Sequence, residues 1–195
     1  MPWFRGHPPI YVPHGTGPAA LNELASVDWA HVQHCYGSGP LDYLGSHFDV
    51  AASLRDIDAA DRERAEEALL SFWDTLCHQG TIYEASARAL PFLAAWLAGF
   101  QDDDLRSNAV VHLVVAIAAA ACLHEPASGS YAGAWGKGVR ELTRTALTAS
   151  LPYLEAYLHQ QPRRQELVTL LRAAAGLTGA DEELAQRLDE EMDRN

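Results

Sequence analysis

The chain has 195 residues, of which 48% are hydrophobic, so it has enough apolar material for a sizeable core and does not have the composition of a disordered chain. Its 26 acidic residues outnumber its 14 basic residues, which gives a formal net charge of −12. Because such a surface repels phosphate backbones, we expect no nucleic-acid partner.

The N-terminal residues and the cysteines indicate the cellular compartment. The first residues contain no apolar block of the kind that a secretory signal requires. The longest apolar run, 113–123, is shorter than the roughly 18 to 20 residues that cross a membrane. Cys35, Cys77 and Cys122 cannot all pair within the chain, which fits a reducing environment. We therefore predict a cytoplasmic protein without a membrane partner.

Residues 1–20 differ in composition from the rest of the chain. They contain five of the ten prolines and three glycines, which oppose both helix and strand, so we predict an irregular N-terminal arm on the surface. From residue 21 onward, apolar residues recur with the period of a helix, and alternating strand patterns are almost absent. These patterns predict a single all-α domain over residues 21–195.

Apolar stripes and end signals predict seven or eight helices. In chain order, these cover about 26–36, 40–54, 61–78, 84–100, 102–123, 137–160, 163–175 and 181–194. Thr81 and Glu84 have the spacing of a capping box at the start of the fourth helix, and Pro91 should bend or break that helix. The fifth helix should be the most buried, and residues 125–136 should form the longest internal loop.

An internal repeat relates two of these helices. Residues 90–97 (LPFLAAWL) and 151–158 (LPYLEAYL) are offset by 61 residues, with five of eight positions identical and two exchanges between aromatic residues. Helical-pair repeats usually recur at about 33 to 47 residues, and the 125–136 loop would account for the excess. The repeat predicts a short α-solenoid of antiparallel helix pairs.

Two short sequence segments resemble those of a known protein family. Trp29 with residues 34–38 (HCYGS), and residues 78–85 (HQGTIYEA) leading to 90–93 (LPFL), resemble bacterial HEAT-like repeat proteins that carry similar HAYGSA and HQGTVYEAT…VPFL strings. The chain departs from the first string at Cys35 and Gly39, which replace alanines. The resemblance covers roughly residues 28–110 and implies HEAT-like helix pairs. Because members of the family mostly have no assigned activity, it implies fold more than function.

Several histidines suggest a metal or a catalytic site. His31 and His34 are three residues apart, but His34 and His78 each lie near a glycine at a predicted helix end, where an imidazole can bond free carbonyls. The sequence contains no zinc-site spacing, phosphate loop, dinucleotide fingerprint or nucleophile elbow. We expect no metal, no cofactor and no catalytic residue.

Two classes of helical-repeat enzyme need features that this sequence shows only weakly. Iron-binding hydroxylases such as deoxyhypusine hydroxylase use several His-Glu dipeptides, and the chain has one, His124-Glu125. Alkylpurine DNA glycosylases need a basic groove. The available basic cluster is Arg140, Arg144, Arg163, Arg164 and Arg172.

Two functional hypotheses remain open. The first is a non-catalytic protein-binding module whose acidic concave face captures a basic protein, as an inhibitor of the immunity type or an adaptor does. The alternative is an enzyme or small-ligand-binding protein with a site around the His34–Tyr36 and His78–Glu84 elbows. The candidate binding residues are Trp29, His34, Tyr36, His78, Tyr83, Glu84, Arg88, Tyr153 and Tyr157.

Overall fold

The computed structural model describes residues 8–35, 37–38, 49–78, 81–100, 105–123 and 138–194. These ranges fold into α-helices with very little strand, which confirms the all-α class. The α-helices are α1 (Pro18–Leu21), α2 (Val50–Asp56), α3 (Arg62–Leu76), α4 (Glu84–Leu97), α5 (Leu105–Cys122), α6 (Val139–Leu158), α7 (Gln165–Ala175) and α8 (Glu182–Asp193). The 3₁₀ helices are Leu24–Ser26, Trp29–His31 and Pro162–Arg164. The strands are β1 (Gln33–His34), β2 (Gly37–Ser38), β3 (Cys77–His78) and β4 (Thr81–Ile82).

The predicted helix over residues 26–36 is wrong. Two 3₁₀ turns and the start of a β-hairpin take its place, with β1 antiparallel to β2. The carbonyl of Leu24 accepts from the backbone N–H of Val27 and from the indole of Trp29, so it closes a turn and does not continue a helix. The helix predicted at 40–54 is observed at its end as α2, and residues 40–48 lie outside the described ranges.

The elbow between α3 and α4 is also a β-hairpin. In it, Cys77 is paired with Ile82 and His78 with Thr81. The capping box predicted at Thr81 and Glu84 is therefore wrong, because Thr81 lies in a strand. The start of α4 is secured by Ser86, whose hydroxyl accepts from the N–H of Tyr83 at 2.9 Å and donates to the carbonyl of Leu76.

Helix α4 is the most thoroughly buried of the long helices. All its residues except Glu84 are buried, whereas α5, the expected central helix, has several residues that reach the surface. The helix continues through Pro91 to Leu97, so the predicted break does not occur. Near its end, the buried indole of Trp96 donates to Asp58 Oδ1 at 3.1 Å.

The core joins helices that are distant in the sequence as well as consecutive ones. Helix α4 packs along α6, α5 packs against α8, and α6 packs against α7. The two helices of the internal repeat, which contain Pro91 and Pro152, are therefore direct neighbours. The packing of α8 on α5 is an additional contact between distant elements. The solenoid arrangement stays a prediction.

Among the described residues, α5 is apolar and long enough, at 18 residues, to cross a membrane by length and composition alone. In the fold, 72% of this helix is buried, in contact with α3, α6 and α8.

Candidate functional site

The elbow residues occupy different environments. His34 is buried in β1, and Tyr83 is half-buried at the start of α4. Tyr36 and the side chain of His78 lie outside the described part of the chain. A common pocket formed by these side chains therefore stays a prediction.

Two other predicted residues, Glu84 and Arg88, meet on α4. The guanidinium of Arg88 is 4% exposed, and its Nη2 and Nε lie 3.0 and 3.2 Å from Glu84 Oε1. Its Nη1 donates to the backbone carbonyl of Pro9 at 2.7 Å. Because a buried cation is costly without partners, Glu84 and the N-terminal arm together account for the burial of Arg88.

An aromatic cluster lies beside this ion pair. Trp29 and Tyr11 both contact the ring of Phe92, each with a centroid separation of 5.9 Å, and Tyr11 is stacked on it. Trp29, one of the candidate binding residues, therefore lies beside α4. Phe92 was not among the candidate residues. The repeat could have identified it, because Phe92 in 90–97 occupies the position of Tyr153 in 151–158.

The repeat separates the aromatic residues into two pairs. Tyr153 is half-buried, and its hydroxyl donates to the carbonyl of Pro13 at 2.5 Å, so both Phe92 and Tyr153 face the N-terminal arm. Tyr157 occupies the position of Trp96, and both are fully buried. Tyr157, one of the candidate binding residues, is therefore part of the core.

We call this first surface the arm groove: the strip of α4 and α6 lined by Arg88, Phe92 and Tyr153, flanked by Trp29 and covered by residues 9–13 of the arm. Glu23 holds the arm in place by accepting hydrogen bonds from three arm residues. The carboxylate of Glu23 accepts from the hydroxyl of Tyr11 at 2.7 Å, from the N–H of Gly15 at 2.8 Å and from the N–H of His14 at 3.0 Å. These donors, with Tyr11 the strongest, lower the pKa of Glu23 to about 2.

A second concave surface lies between α3, α5 and α8, and we call it the helix groove. It consists of two adjoining cavities of about 570 and 270 Å³. The larger is lined by Trp73, Cys77, Ala116, Ala119, Ala120, Leu123, Glu182, Ala185, Gln186 and Asp189. The smaller is lined by Glu66, Leu69, Leu70, Trp73, Leu105, Arg106 and Ala109. Trp73 lines both cavities, so the two form one surface.

The helix groove contains the most exposed large apolar side chains of the described residues. Leu70 is 68% exposed and Leu105 is 64% exposed. Trp73 is half-buried and lies at the boundary between the two cavities. The small side chains of Ala116, Ala119 and Ala120 in α5 line the larger cavity and leave room beside α3 and α8.

Cys77 lies in the larger cavity and is 7% exposed. Burial, with a contribution from the negative charge of Asp189, raises the pKa of its thiol to about 11. Since the thiolate is the nucleophilic form, Cys77 is protonated and unreactive at neutral pH. Within the ranges that the structure describes, no three His, Cys, Asp or Glu side chains are grouped so as to hold a metal ion.

Most of the arginines in the basic cluster are used inside the fold. Arg144 donates to the carbonyls of Ala121 and Gly179 at 3.0 and 3.2 Å. Arg172 pairs with Glu155 at 2.6 Å. Arg140 is buried, and so is Arg164, which donates to Asn108. Four of the five arginines therefore serve packing or internal bonds, and Arg163 is exposed.

The chain matches no protein-family model, no curated protein and no solved structure. The likeness to HEAT-like repeat proteins therefore stays an expectation from the sequence strings.

Proposed function

We propose that this chain is a non-catalytic protein-binding module, and that the helix groove receives an apolar, positively charged segment of a basic partner protein. One observation carries the proposal. The exposed side chains of Leu70 and Leu105 lie in a groove whose borders carry carboxylates, in a chain with a net charge of −12.

The apolar part of the groove supplies the attraction. Exposed leucines beside a tryptophan are typical of protein interaction sites, and aromatic residues dominate the energetics of many interfaces. Full burial of a leucine side chain contributes about 1.5 to 3 kcal/mol. Burial of Leu70 and Leu105, which are 68% and 64% exposed, would therefore contribute a part of the binding free energy.

The charged borders select the partner. Glu66 borders the smaller cavity, and Glu182 and Asp189 border the larger one. Arg106, which also lines the smaller cavity, donates to the carbonyl of Ala59. Carboxylates around an apolar surface favour lysine and arginine on the partner and accelerate its capture.

The shape of the groove favours an amphipathic helix as the partner segment. Its walls are the sides of three helices, and the alanines of α5 form a shallow apolar floor. Grooves of this kind bind helices whose apolar residues recur at three and four positions. With basic residues beside its apolar stripe, such a helix would meet both the floor and the borders of the groove.

The test begins with capture of the partner from the native host and its identification by mass spectrometry. The purified pair is then measured by titration calorimetry at low and high salt. We expect an affinity that falls as ionic strength rises, because salt screens the contacts between charges. Salt-insensitive binding, or a partner without a basic apolar segment, would overturn the proposal.

Matched variants locate the contact. Leu70→Ser combined with Leu105→Ser should weaken binding by about tenfold or more, because it removes apolar contact area. Glu182→Lys and Glu183→Lys make the same change of charge at adjacent exposed positions in the first turn of α8, but only Glu182 lines the groove. Glu182→Lys should weaken binding more than Glu183→Lys. Equal effects of the two variants would place the contact elsewhere.

A further inference from the structure

We propose that the arm groove is a second binding site, separate from the helix groove, which takes an extended proline-containing peptide segment of another protein. In the structure, the N-terminal arm of the same chain occupies this site. Residues 9–13 (PIYVP) cross α4 and α6 without forming helix or strand. The contacts of this segment show which peptide the groove recognises.

Two side chains bind the backbone of the seated segment. Arg88 Nη1 donates to the carbonyl of Pro9 at 2.7 Å, and the hydroxyl of Tyr153 donates to the carbonyl of Pro13 at 2.5 Å. Backbone carbonyls are present in every peptide, so these anchors fix the path of a segment without specifying its side chains. The two anchors come from neighbouring helices and hold both ends of the segment.

Specificity comes from the middle of the segment. Tyr11 stacks on Phe92, and Trp29 contacts the same ring at a tilt. Pro13, two residues after Tyr11, is buried and has no N–H that the groove would have to satisfy, whereas Pro9 is exposed and is bound through its carbonyl. Grooves lined with aromatic residues bind extended proline-rich segments, whose backbone is already restricted before binding. The pattern that fits is Tyr-x-Pro.

The groove does not depend on the arm for its shape. Its walls belong to α4 and α6, which pack directly on each other. The charge of Arg88 is balanced by Glu84 within α4, whether or not the arm is seated. On this proposal the walls and the ion pair would be in place before a segment from another chain binds, which would lower the free-energy cost of binding.

The tethered arm competes with any such segment. A short tether gives a bound segment an effective concentration in the millimolar range, so a free peptide binds poorly while the arm is seated. Weakening the arm without changing the groove should expose the site. Tyr11→Ala does this, because Tyr11 belongs to the arm and contacts both Phe92 and Glu23.

The probe is a fluorescein-labelled peptide with the sequence of residues 8–17, PPIYVPHGTG, followed by fluorescence anisotropy. We expect it to bind the full-length Tyr11→Ala chain at least tenfold more tightly than the wild-type chain. Tyr153→Phe added to Tyr11→Ala should weaken probe binding about three- to tenfold, through loss of one hydrogen bond. A control peptide with alanine in place of its tyrosine should not bind.

Circular dichroism checks that each variant is folded. Should Tyr11→Ala not fold, Tyr11→Phe is the second test, because it removes only the hydroxyl that bonds to Glu23. A folded, arm-weakened variant that does not bind the probe would overturn the proposal, since the arm would then be part of the core only. An arm-exchanged dimer of the wild-type chain, detected by light scattering, would assign the groove to a second copy and also overturn it.

Discussion

Gly17 and Gly99 lie so close that a Cβ on Gly99 would stand 2.2 Å from the Cα of Gly17 and 2.4 Å from its nitrogen. The N–H of Gly17 donates to the carbonyl of Ala95 at 2.9 Å, in the last turn of α4. Gly17 also has a φ of 59°, in the region that favours glycine. The two glycines therefore let the arm dock by its backbone at the end of α4.

Gly99→Ala should destabilise the protein by about 1 to 3 kcal/mol, because the added methyl would overlap backbone atoms that can only move with the arm. Gly179→Ala is the matched control, since a Cβ there meets nothing within 4 Å. The control should change the free energy of unfolding by less than about 0.5 kcal/mol. Urea unfolding measures both variants, and equal effects would show that the close approach of Gly17 and Gly99 is unimportant.

Glu23 should make the docking of the arm sensitive to acid. Its pKa is about 2 in the folded chain, against an ordinary value of 4.5, because Tyr11, Gly15 and His14 donate hydrogen bonds to its carboxylate. A folded-state pKa below the unfolded value stabilises the fold above the unfolded pKa, and this stabilisation is lost as pH falls. The arm should therefore loosen progressively between about pH 4.5 and pH 2.

Hydrogen exchange of the Gly15 amide, followed by NMR, measures this loosening directly because that amide donates to Glu23. Protection of the amide, corrected for the intrinsic effect of pH, should fall across the stated range while the amides of α4 stay protected. Glu23→Gln should lower the protection of Gly15 at pH 6 and remove most of its dependence on acid. An unchanged pH profile in Glu23→Gln would show that another group controls the arm.

The long helices could be predicted because each has a continuous apolar stripe or, as in α5, a continuous apolar run. Helix α3 was expected over 61–78 and is observed as Arg62–Leu76. The spacing of its apolar residues matches the helical period because one side of this helix is buried. The segment after Leu24 could not be predicted in this way. Its two 3₁₀ turns depend on the indole of Trp29 reaching the Leu24 carbonyl, and that bond is not visible in a pattern of apolar residues.

The candidate site was predictable only in part, because a sequence pattern relates residues to each other without showing what covers them. The repeat showed that Phe92 corresponds to Tyr153 and Trp96 to Tyr157, but periodicity alone does not tell which pair faces the arm. The contacts of the arm decide this, because Tyr11 and Pro13 cover only the first pair. The helix groove escaped prediction because Trp73 and the alanines of α5 have the same sequence pattern whether they are packed or exposed.

Cys77 provides a chemical probe of the helix groove. With a pKa of about 11, about one thiol in a thousand is ionised at pH 8, and the side chain is only 7% exposed. An alkylating reagent should therefore modify the partly exposed Cys35 first and Cys77 much more slowly, as measured by mass spectrometry of the peptides.

A partner in the groove should slow the alkylation of Cys77 further and leave that of Cys35 unchanged, because Cys77 lines the groove. Alkylation of Cys77 as fast as Cys35 at pH 8 would contradict both its burial and its raised pKa.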